Sequence, residues 1–170
     1  MQTTPYSRPE FDPYGSNDVP SDESQHWQAP QSGGPVTGEL QIPGSKSLTN
    51  RELVLAALAE GPSTIRRPLH SRDSKLMIEA LRSLGTQVDV LDNGDVLVTP
   101  QPLDREASID CGLAGTVMRF VPPMAALSSA SITFDGDEAA RRRPMHTTID
   151  SLRALGIHVY DNGAKALPFT

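Results

Sequence analysis

The 170-residue sequence predicts an α/β protein built from a repeated β-α-β-α-β-β unit. Apolar residues recur at helical spacing in some segments and alternate with polar residues in others, which indicates that helices and strands are mixed along the chain. A pattern in the first half, "ALRSLGTQVDVLDNG", returns in the second half as "SLRALGIHVYDNG". The chain therefore holds two copies of one unit of about 70 residues, a longer period than most repeat proteins have.

The start of the chain has a different composition. Residues 1–35 are rich in Pro, Ser, Gln, Asp and Gly and contain few aliphatic side chains. Such a segment buries too little apolar surface to offset the entropy lost on ordering. We expect a disordered acidic tail over residues 1–35 and a folded domain over residues 36–170. The first repeat is expected at about 36–104 and the second at about 105–170.

The elements of the first repeat follow from local patterns. The segment "VTGELQIP" predicts a strand, Ser47 to Ala59 predict a helix that ends at "EGP", and "STIRRPL" predicts a second strand. The run "TQVDVLDNGDVLVTP" predicts a hairpin, because two alternating segments flank an Asn-Gly turn. Between these strands, a second helix is predicted by apolar residues at positions i, i+3, i+4 and i+7: Met77, Ala80, Leu81 and Leu84.

The second repeat contains a counterpart of the first helix. An offset of 68 residues carries Ser47 to Gly115 and Arg51 to Arg119, so "SKSLTNR" and "GLAGTVMR" occupy the same place in the unit. Both helices begin with small residues. In both, an arginine follows four positions later on the same helical face.

This arrangement is typical of an anion site. The first turn of a helix offers unpaired N–H groups and the positive end of the macrodipole, and small residues let an anion approach. Lys46 adds an ammonium, Ser47 a hydroxyl and Arg51 a planar fork suited to a carboxylate. In "ARRRPMH", one of the arginines can converge on the same anion as Lys46. An alternative stays open, in which Gly44 and the serines only form a turn and a helix cap.

Composition excludes several other classes of function. A net charge of −6 and a pI near 5.1 disfavour binding of nucleic acid or of an anionic membrane. Cys111 is the only cysteine, which excludes an internal disulfide framework and a cysteine-cluster zinc site. The four histidines lack metal-ligand spacing. No segment reads as a membrane span or secretion signal, so we expect a cytoplasmic protein without a metal.

Three motifs, "PGSKSLTNR", "GLAGTVMRF" and "GDEAARRRPM", resemble the N-terminal signatures of the 5-enolpyruvylshikimate-3-phosphate synthase family. The resemblance covers Val36 to Thr170. It implies an inverted α/β architecture of two lobes with three units each, of which this chain holds two of the expected six. It also implies transfer of the enolpyruvyl group of phosphoenolpyruvate to the 5-hydroxyl of shikimate 3-phosphate, with no metal or organic cofactor. The complete protein is expected to be a monomer.

The resemblance also implies roles for individual residues. Lys46 would contact phosphoenolpyruvate, while Ser47 and Arg51 would hold shikimate 3-phosphate. The backbone around Gly115 would lie against phosphoenolpyruvate, and Arg143 would bind it as well. Lys46 and Arg143 are thus the expected catalytic residues. The counterpart of Arg119 is taken to be mainly structural.

The chain departs from the family pattern in three ways. Leu113 stands where the family commonly has asparagine, Ala139 replaces an arginine, and family members are more than twice as long. We therefore expect altered phosphoenolpyruvate binding and no turnover by the isolated chain. Two alternatives remain: UDP-N-acetylglucosamine enolpyruvyl transferase, whose first motif usually has "AKN" in place of "SKS", and a non-catalytic anion-binding remnant.

Overall fold

The computed structural model describes residues 32–40 and 42–170, which fall into two units divided after Leu40. Residues 32–40 are exposed and contain no helix or strand. The predicted tail lies outside the described residues except for positions 32–35, so the tail and the domain boundaries stay predictions. No helix in the described part of the chain has the length and apolar character needed to cross a membrane.

Residues 42–170 form the mixed α/β structure that the sequence predicts. The elements, in chain order, are α1 (Lys46–Ala57), β1 (Ser63–Ile65), α2 (Arg72–Ser83), β2 (Gln87–Val90), β3 (Val96–Thr99), β4 (Ala107–Asp110), α3 (Gly115–Ala125), β5 (Ile132–Asp135), α4 (Glu138–Arg141) and α5 (His146–Ala154).

The first repeat forms a three-stranded antiparallel sheet in the order β1-β3-β2. The predicted hairpin is confirmed, with Leu91 N–H donating to the Asp95 carbonyl at 2.8 Å. Helix α2 begins with a capping box, because Ser71 and Ser74 each accept a hydrogen bond from the other's backbone N–H. Its apolar face, which includes Met77 and Leu81, is fully buried.

The second repeat is built around two parallel strands, β4 and β5, paired from Ala107 with Ile132 to Asp110 with Asp135. The helices α3 and α4 follow directly from the ends of these strands. Because parallel strands end at the same edge of a sheet, the segments that lead into α3 and α4 lie side by side.

One side-chain contact shows that the repeat is structural as well as sequential. Arg82, near the end of α2, donates through Nε and Nη2 to the Val88 carbonyl at 3.0 and 2.6 Å. Arg153, 71 positions later at the end of α5, donates through Nη2 to the Val159 carbonyl at 2.7 Å. Each arginine therefore ties its helix to the segment that follows the helix.

The prediction of a strand at "VTGELQIP" is wrong for the residues that the structure describes. Residues 36–40, 42 and 43 form no strand, and the side chains of Val36, Leu40 and Ile42 are exposed. A strand needs a ladder partner and a buried face, and alternation in the sequence supplies neither. The counterpart in the second repeat, β4, has both, since it pairs with β5 and buries Ile109.

Two copies of a β-α-β-α-β-β unit also imply a hairpin at the end of the second repeat, and this expectation is wrong. Residues 157–160 are not a strand, although Tyr160 and Thr170 exchange two backbone hydrogen bonds of 2.8 Å and Phe134 forms an isolated bridge with Phe169. The buried carboxylate of Asp161 explains the difference. It accepts hydrogen bonds from the backbone N–H groups of residues 163 and 165, which folds this segment into a local turn that competes with a ladder.

The core is continuous through both repeats. Leu53, Leu81 and Val98 are fully buried on the first side, and Val117 and Ile149 on the second. Each such side chain contributes about 1.5–3 kcal/mol through the apolar surface that it removes from water. The starts of α1, α2 and α3 are therefore held on a rigid base.

Candidate functional site

The start of α1 contains the first basic group. Ser45 is the N-cap, and its Oγ accepts a long hydrogen bond of 3.4 Å from the backbone N–H of Leu48. Lys46, the first helical residue, places Nζ 3.0 Å from Oδ2 of Asp73 in the first turn of α2. The ammonium is therefore ion-paired, whereas the sequence motif alone presents it as a free charge. Ser47 is exposed beside it.

The close approach of the chain before α1 explains the glycine of "PGSKS". A Cβ atom on Gly44 would lie 3.1 Å from the carbonyl oxygen of Arg67, which is too close for an ordinary contact. Any larger residue would push the start of α1 away from the segment that follows β1. The tight packing of this segment therefore favours glycine at position 44.

The start of α3 lacks a side-chain cap. Gly115 is the first helical residue, and the N-cap Ala114 has no side-chain group that can accept a hydrogen bond. The first-turn N–H groups of α3 are consequently not satisfied by a capping side chain, and the positive end of the helix dipole is open to an anion.

Two arginines flank this helix start. Arg119 donates through Nη1 to the Gly115 carbonyl at 3.3 Å, and Arg143 donates through Nη1 to the Leu113 carbonyl at 3.2 Å. A Cβ atom on Gly115 would lie 3.2 Å from the first of these nitrogens and 3.9 Å from the second. The absence of a side chain at Gly115 therefore leaves the space between two guanidinium groups and the end of α3 unfilled.

The structure distinguishes the three consecutive arginines. Arg141 pairs with Asp135 at 2.6 Å, and Arg142 pairs with Glu138 at 2.8 Å. Within residues 32–40 and 42–170, Arg143 pairs with no carboxylate. No carboxylate in residues 32–40 and 42–170 therefore neutralises the charge of Arg143.

A buried amide joins the three helix starts. Nδ2 of Asn50 donates to Oγ1 of Thr116 at 2.6 Å and to the Asp73 carbonyl at 3.4 Å. Asn50 is fully buried, and its Oδ1 has no partner among the described residues. Since Asp73 also pairs with Lys46, the first turns of α1, α2 and α3 meet at one point.

The segment that carries Arg143 is fixed to α2 and to the segment before α3. Arg72 binds both carboxylate oxygens of Asp137 at 2.8 and 2.9 Å, and this hydrogen bonding lowers the pKa of the Asp137 carboxyl. Asp137 N–H donates to the Gly112 carbonyl at 3.0 Å. A Cβ atom on Gly136 would lie only 2.5 Å from that carbonyl oxygen, so the two segments touch through their backbones.

Arg51 lies one turn after Ser47, is exposed, and places its Cζ 5.7 Å from the centroid of the Phe120 ring on α3. The predicted site residues Lys46, Gly115 and Arg143 thus surround the helix starts, and Arg51 lies one turn further along α1.

Several residues of this region were not identified from the sequence. They are Asp73, Asn50, Thr116 and Phe120. Their contacts join positions that are far apart in the chain, so no local spacing predicts them. The repeat offset signals only that the starts of α1 and α3 are equivalent.

The described residues contain no group of three His, Cys, Asp or Glu side chains that could hold a metal ion. Cys111 is buried next to the site, and burial raises the pKa of its thiol to about 12. The thiol therefore stays protonated at neutral pH and is a poor nucleophile.

Comparison with known proteins identifies relatives of this chain. The sequence profile of the family EPSP synthase (3-phosphoshikimate 1-carboxyvinyltransferase) matches residues 30–170. A 3-phosphoshikimate 1-carboxyvinyltransferase of Kocuria rhizophila is 58% identical in an alignment 153 positions long, which covers 84% of this chain and 34% of the relative. One of Mycobacterium ulcerans is 54% identical in an alignment 152 positions long, which covers 84% of this chain and 33% of the relative. The chain thus spans about a third of the length of these relatives.

Solved structures resemble the fold. An EPSP synthase of Acinetobacter baumannii superposes with a TM-score of 0.64 and 24% sequence identity, over 78% of this chain and 31% of that one. A second structure from the same organism gives a TM-score of 0.63 over the same shares. In both comparisons, the α/β fold of this chain matches only part of the solved structure.

Proposed function

The chain belongs to the EPSP synthase family, and we propose that it forms one wall of a site for phosphoenolpyruvate and shikimate 3-phosphate. The reaction of that site is transfer of the enolpyruvyl group from phosphoenolpyruvate to the 5-hydroxyl of shikimate 3-phosphate, with release of phosphate. It belongs to the biosynthesis of aromatic amino acids. A location in the cytoplasm and a monomeric complete protein are parts of the same proposal.

The meeting of three helix starts supports this proposal most directly. The first turns of α1, α2 and α3 lie together around Asn50, with Lys46 at one start and Arg119 and Arg143 at another. Helix dipoles and arginines together create a local positive potential in a chain whose net charge is −6. Such a region suits ligands that bear several negative charges.

In the proposed site, Lys46 and Arg143 bind phosphoenolpyruvate and act as the catalytic residues. The uncapped start of α3 at Gly115 receives an oxygen of the same substrate. Ser47 and Arg51, on the first two turns of α1, hold shikimate 3-phosphate.

Two like-charged substrates repel each other, and neutralising both lowers the free energy of bringing them together. The same cations stabilise the negative charge that builds up on the phosphate group as it leaves. For Lys46 this requires the ammonium to leave Asp73 or to share its hydrogen bonds between Asp73 and the ligand.

Arg143 gives the sharpest test. In the complete gene product that carries this chain, we expect Arg143→Ala to lower kcat/KM for phosphoenolpyruvate about 100-fold or more, the loss typical of removing one charge-stabilising donor. Arg142→Ala is the matched control, because Arg142 is exposed and pairs with Glu138. Equal activities of the two variants would contradict the proposal.

A second measurement addresses the other substrate. Titration of shikimate 3-phosphate into the complete gene product carrying Arg51→Ala should show weaker binding than the wild type. Unchanged affinity would remove Arg51 from the site. A parallel trial with UDP-N-acetylglucosamine as acceptor separates the two enolpyruvyl transfer reactions.

The isolated 170-residue chain is proposed to be inactive. It spans about a third of its relatives' length, and one wall of a site neither excludes water nor positions two substrates. Measurable turnover by the purified chain would refute this part of the proposal.

A further inference from the structure

Arg51 lies against an aromatic ring and not against a carboxylate. Within the described residues, it forms no ion pair and donates no hydrogen bond. Instead, its Cζ lies 5.7 Å from the centroid of the Phe120 ring, inside the limit of about 6 Å for a cation–π contact. Phe120 is half-buried on α3, and Arg51 is exposed on α1.

Several other cationic side chains lie against a carboxylate. Cationic side chains that pair with a carboxylate at 3.0 Å or less are Lys46, Arg72, Arg82, Arg141, Arg142, Arg153 and Lys165. A carboxylate orients a cation but also neutralises it, and it competes with any anionic ligand for the same N–H groups. An aromatic face orients a guanidinium while its N–H groups, which lie in the plane of the guanidinium, stay free.

From this contrast we infer that Phe120 is a positioning residue for Arg51. The inference rests on the proposed function, in which Arg51 binds shikimate 3-phosphate. The ring restricts the rotamers of a long side chain before the ligand arrives, so less entropy is lost on binding. It does so without placing a competing negative charge beside Arg51. The contact also joins a residue of the first repeat to one of the second.

The test is a series of variants at Phe120 in the complete gene product, with shikimate 3-phosphate titrated by calorimetry. Phe120→Leu keeps an apolar side chain and removes the ring, and we expect about two- to fivefold weaker binding. Phe120→Tyr keeps the ring and should bind as the wild type does. We expect KM for shikimate 3-phosphate to rise in Phe120→Leu while kcat at saturation stays the same, a division that a general loss of structure would not give.

Two further measurements separate positioning from simple packing. Phe120→Leu should have no additional effect in an Arg51→Ala background, because the ring then has nothing to orient. Tyr160→Leu, which removes an exposed aromatic ring elsewhere, serves as the control and should leave the affinity unchanged.

Three outcomes would overturn the inference: wild-type affinity in Phe120→Leu, loss of affinity in Phe120→Tyr, or an undiminished effect of Phe120→Leu in the Arg51→Ala background. The proposed role of Arg51 fails on a different result, namely unchanged affinity in Arg51→Ala alone. The two failures are therefore distinguishable.

Discussion

The starts of α1 and α3 occupy equivalent places in the two repeats, but they present charge in different ways. At α1, the cation belongs to the helix itself, and Asp73 pairs with it at 3.0 Å. At α3, the helix begins with Gly115, and the guanidinium groups of Arg119 and Arg143 come from one turn later and from a separate segment. The two helix starts therefore occupy the same place in the repeat, while each builds its positive charge from different atoms. Lys46 is therefore ion-paired, whereas Arg119 and Arg143 pair with no carboxylate among the described residues.

The largest expected effect comes from breaking the link between the two helix starts. Thr116→Val removes the hydroxyl that accepts from Nδ2 of Asn50 at 2.6 Å, which leaves a fully buried amide with one weak contact of 3.4 Å. Leaving such a donor unsatisfied costs about 1–3 kcal/mol of the free energy of unfolding. Thermal unfolding of the chain should show a fall in Tm of about 4 °C for each kcal/mol.

Thr147→Val is the matched control for that change, because Thr147 is an exposed residue of α5. Its Tm should stay close to that of the wild type. If both valine variants melt at the same temperature, the Asn50–Thr116 hydrogen bond does not stabilise the junction of the helices.

The next effect tests the start of α3 alone. Gly115→Ala places a Cβ atom 3.2 Å from Nη1 of Arg119 and partly fills the space beside Arg143. We expect KM for phosphoenolpyruvate to rise about tenfold, which corresponds to about 1.4 kcal/mol of binding free energy. Gly61→Ala is the control, since a Cβ there has nothing within 4 Å. A KM that is the same in both variants would contradict the role of Gly115.

A smaller effect tests the start of α1. Asp73→Asn removes the carboxylate charge beside Lys46, so the ammonium is no longer drawn away from an anionic ligand. An exposed ion pair is worth about 0.2–1 kcal/mol, so phosphoenolpyruvate should bind up to about fivefold more tightly. Calorimetric titration of the complete gene product measures this.

Glu79→Gln is the control for Asp73→Asn, because Glu79 pairs with Arg82 at 2.7 Å and Arg82 lies in the last turn of α2, at the opposite end from the helix start. Its affinity for phosphoenolpyruvate should not change. Weaker binding in Asp73→Asn would show that Asp73 holds Lys46 in its binding position and does not compete for it.

The smallest expected effect is a loss of thermal stability at low pH. Hydrogen bonds from Arg141 and Arg72 lower the pKa of the carboxyls of Asp135 and Asp137, respectively. Their pKa values in the folded state lie below the unfolded value, so the stability that they add is complete above pH 4 to 5 or so and is lost as the pH falls through the folded values. Melting curves between pH 6 and pH 2.5 should show a falling Tm, and Arg72→Met should reduce that pH dependence. If the Tm of Arg72→Met depends on pH as the Tm of the wild type does, the Arg72–Asp137 pair is not a source of the pH dependence.

Local patterns were sufficient for some elements of the fold. The capping residues of α2, its apolar periodicity and the Asn-Gly turn between β2 and β3 act over a few residues, so the sequence predicts them well. The missing strand near Val36 and the missing second hairpin depended on a partner and on one buried carboxylate, at Asp161. Neither condition is visible as alternation along the chain.

The candidate site divides in the same way. The repeat predicts Gly115, because it aligns this residue with Ser47, and the motif "GDEAARRRPM" predicts Arg143. Asn50 and Thr116 were not found, because 66 residues separate the two partners of their hydrogen bond. Site residues that belong to one helix start can be predicted from the sequence. Contacts between two helices can be predicted only when the packing of the helices is known.

The backbone contact between Gly112 and Gly136 limits how this protein can be rebuilt. A side chain at Gly136 would collide with the Gly112 carbonyl. The backbones of the segments after β4 and β5 are therefore complementary in shape. In a chimaera that takes one of these segments from a relative and keeps the other, the two backbones would no longer pack against each other correctly. The two segments therefore have to be exchanged together, and the interval from β4 to α4 is the smallest piece that can be transplanted with its geometry intact.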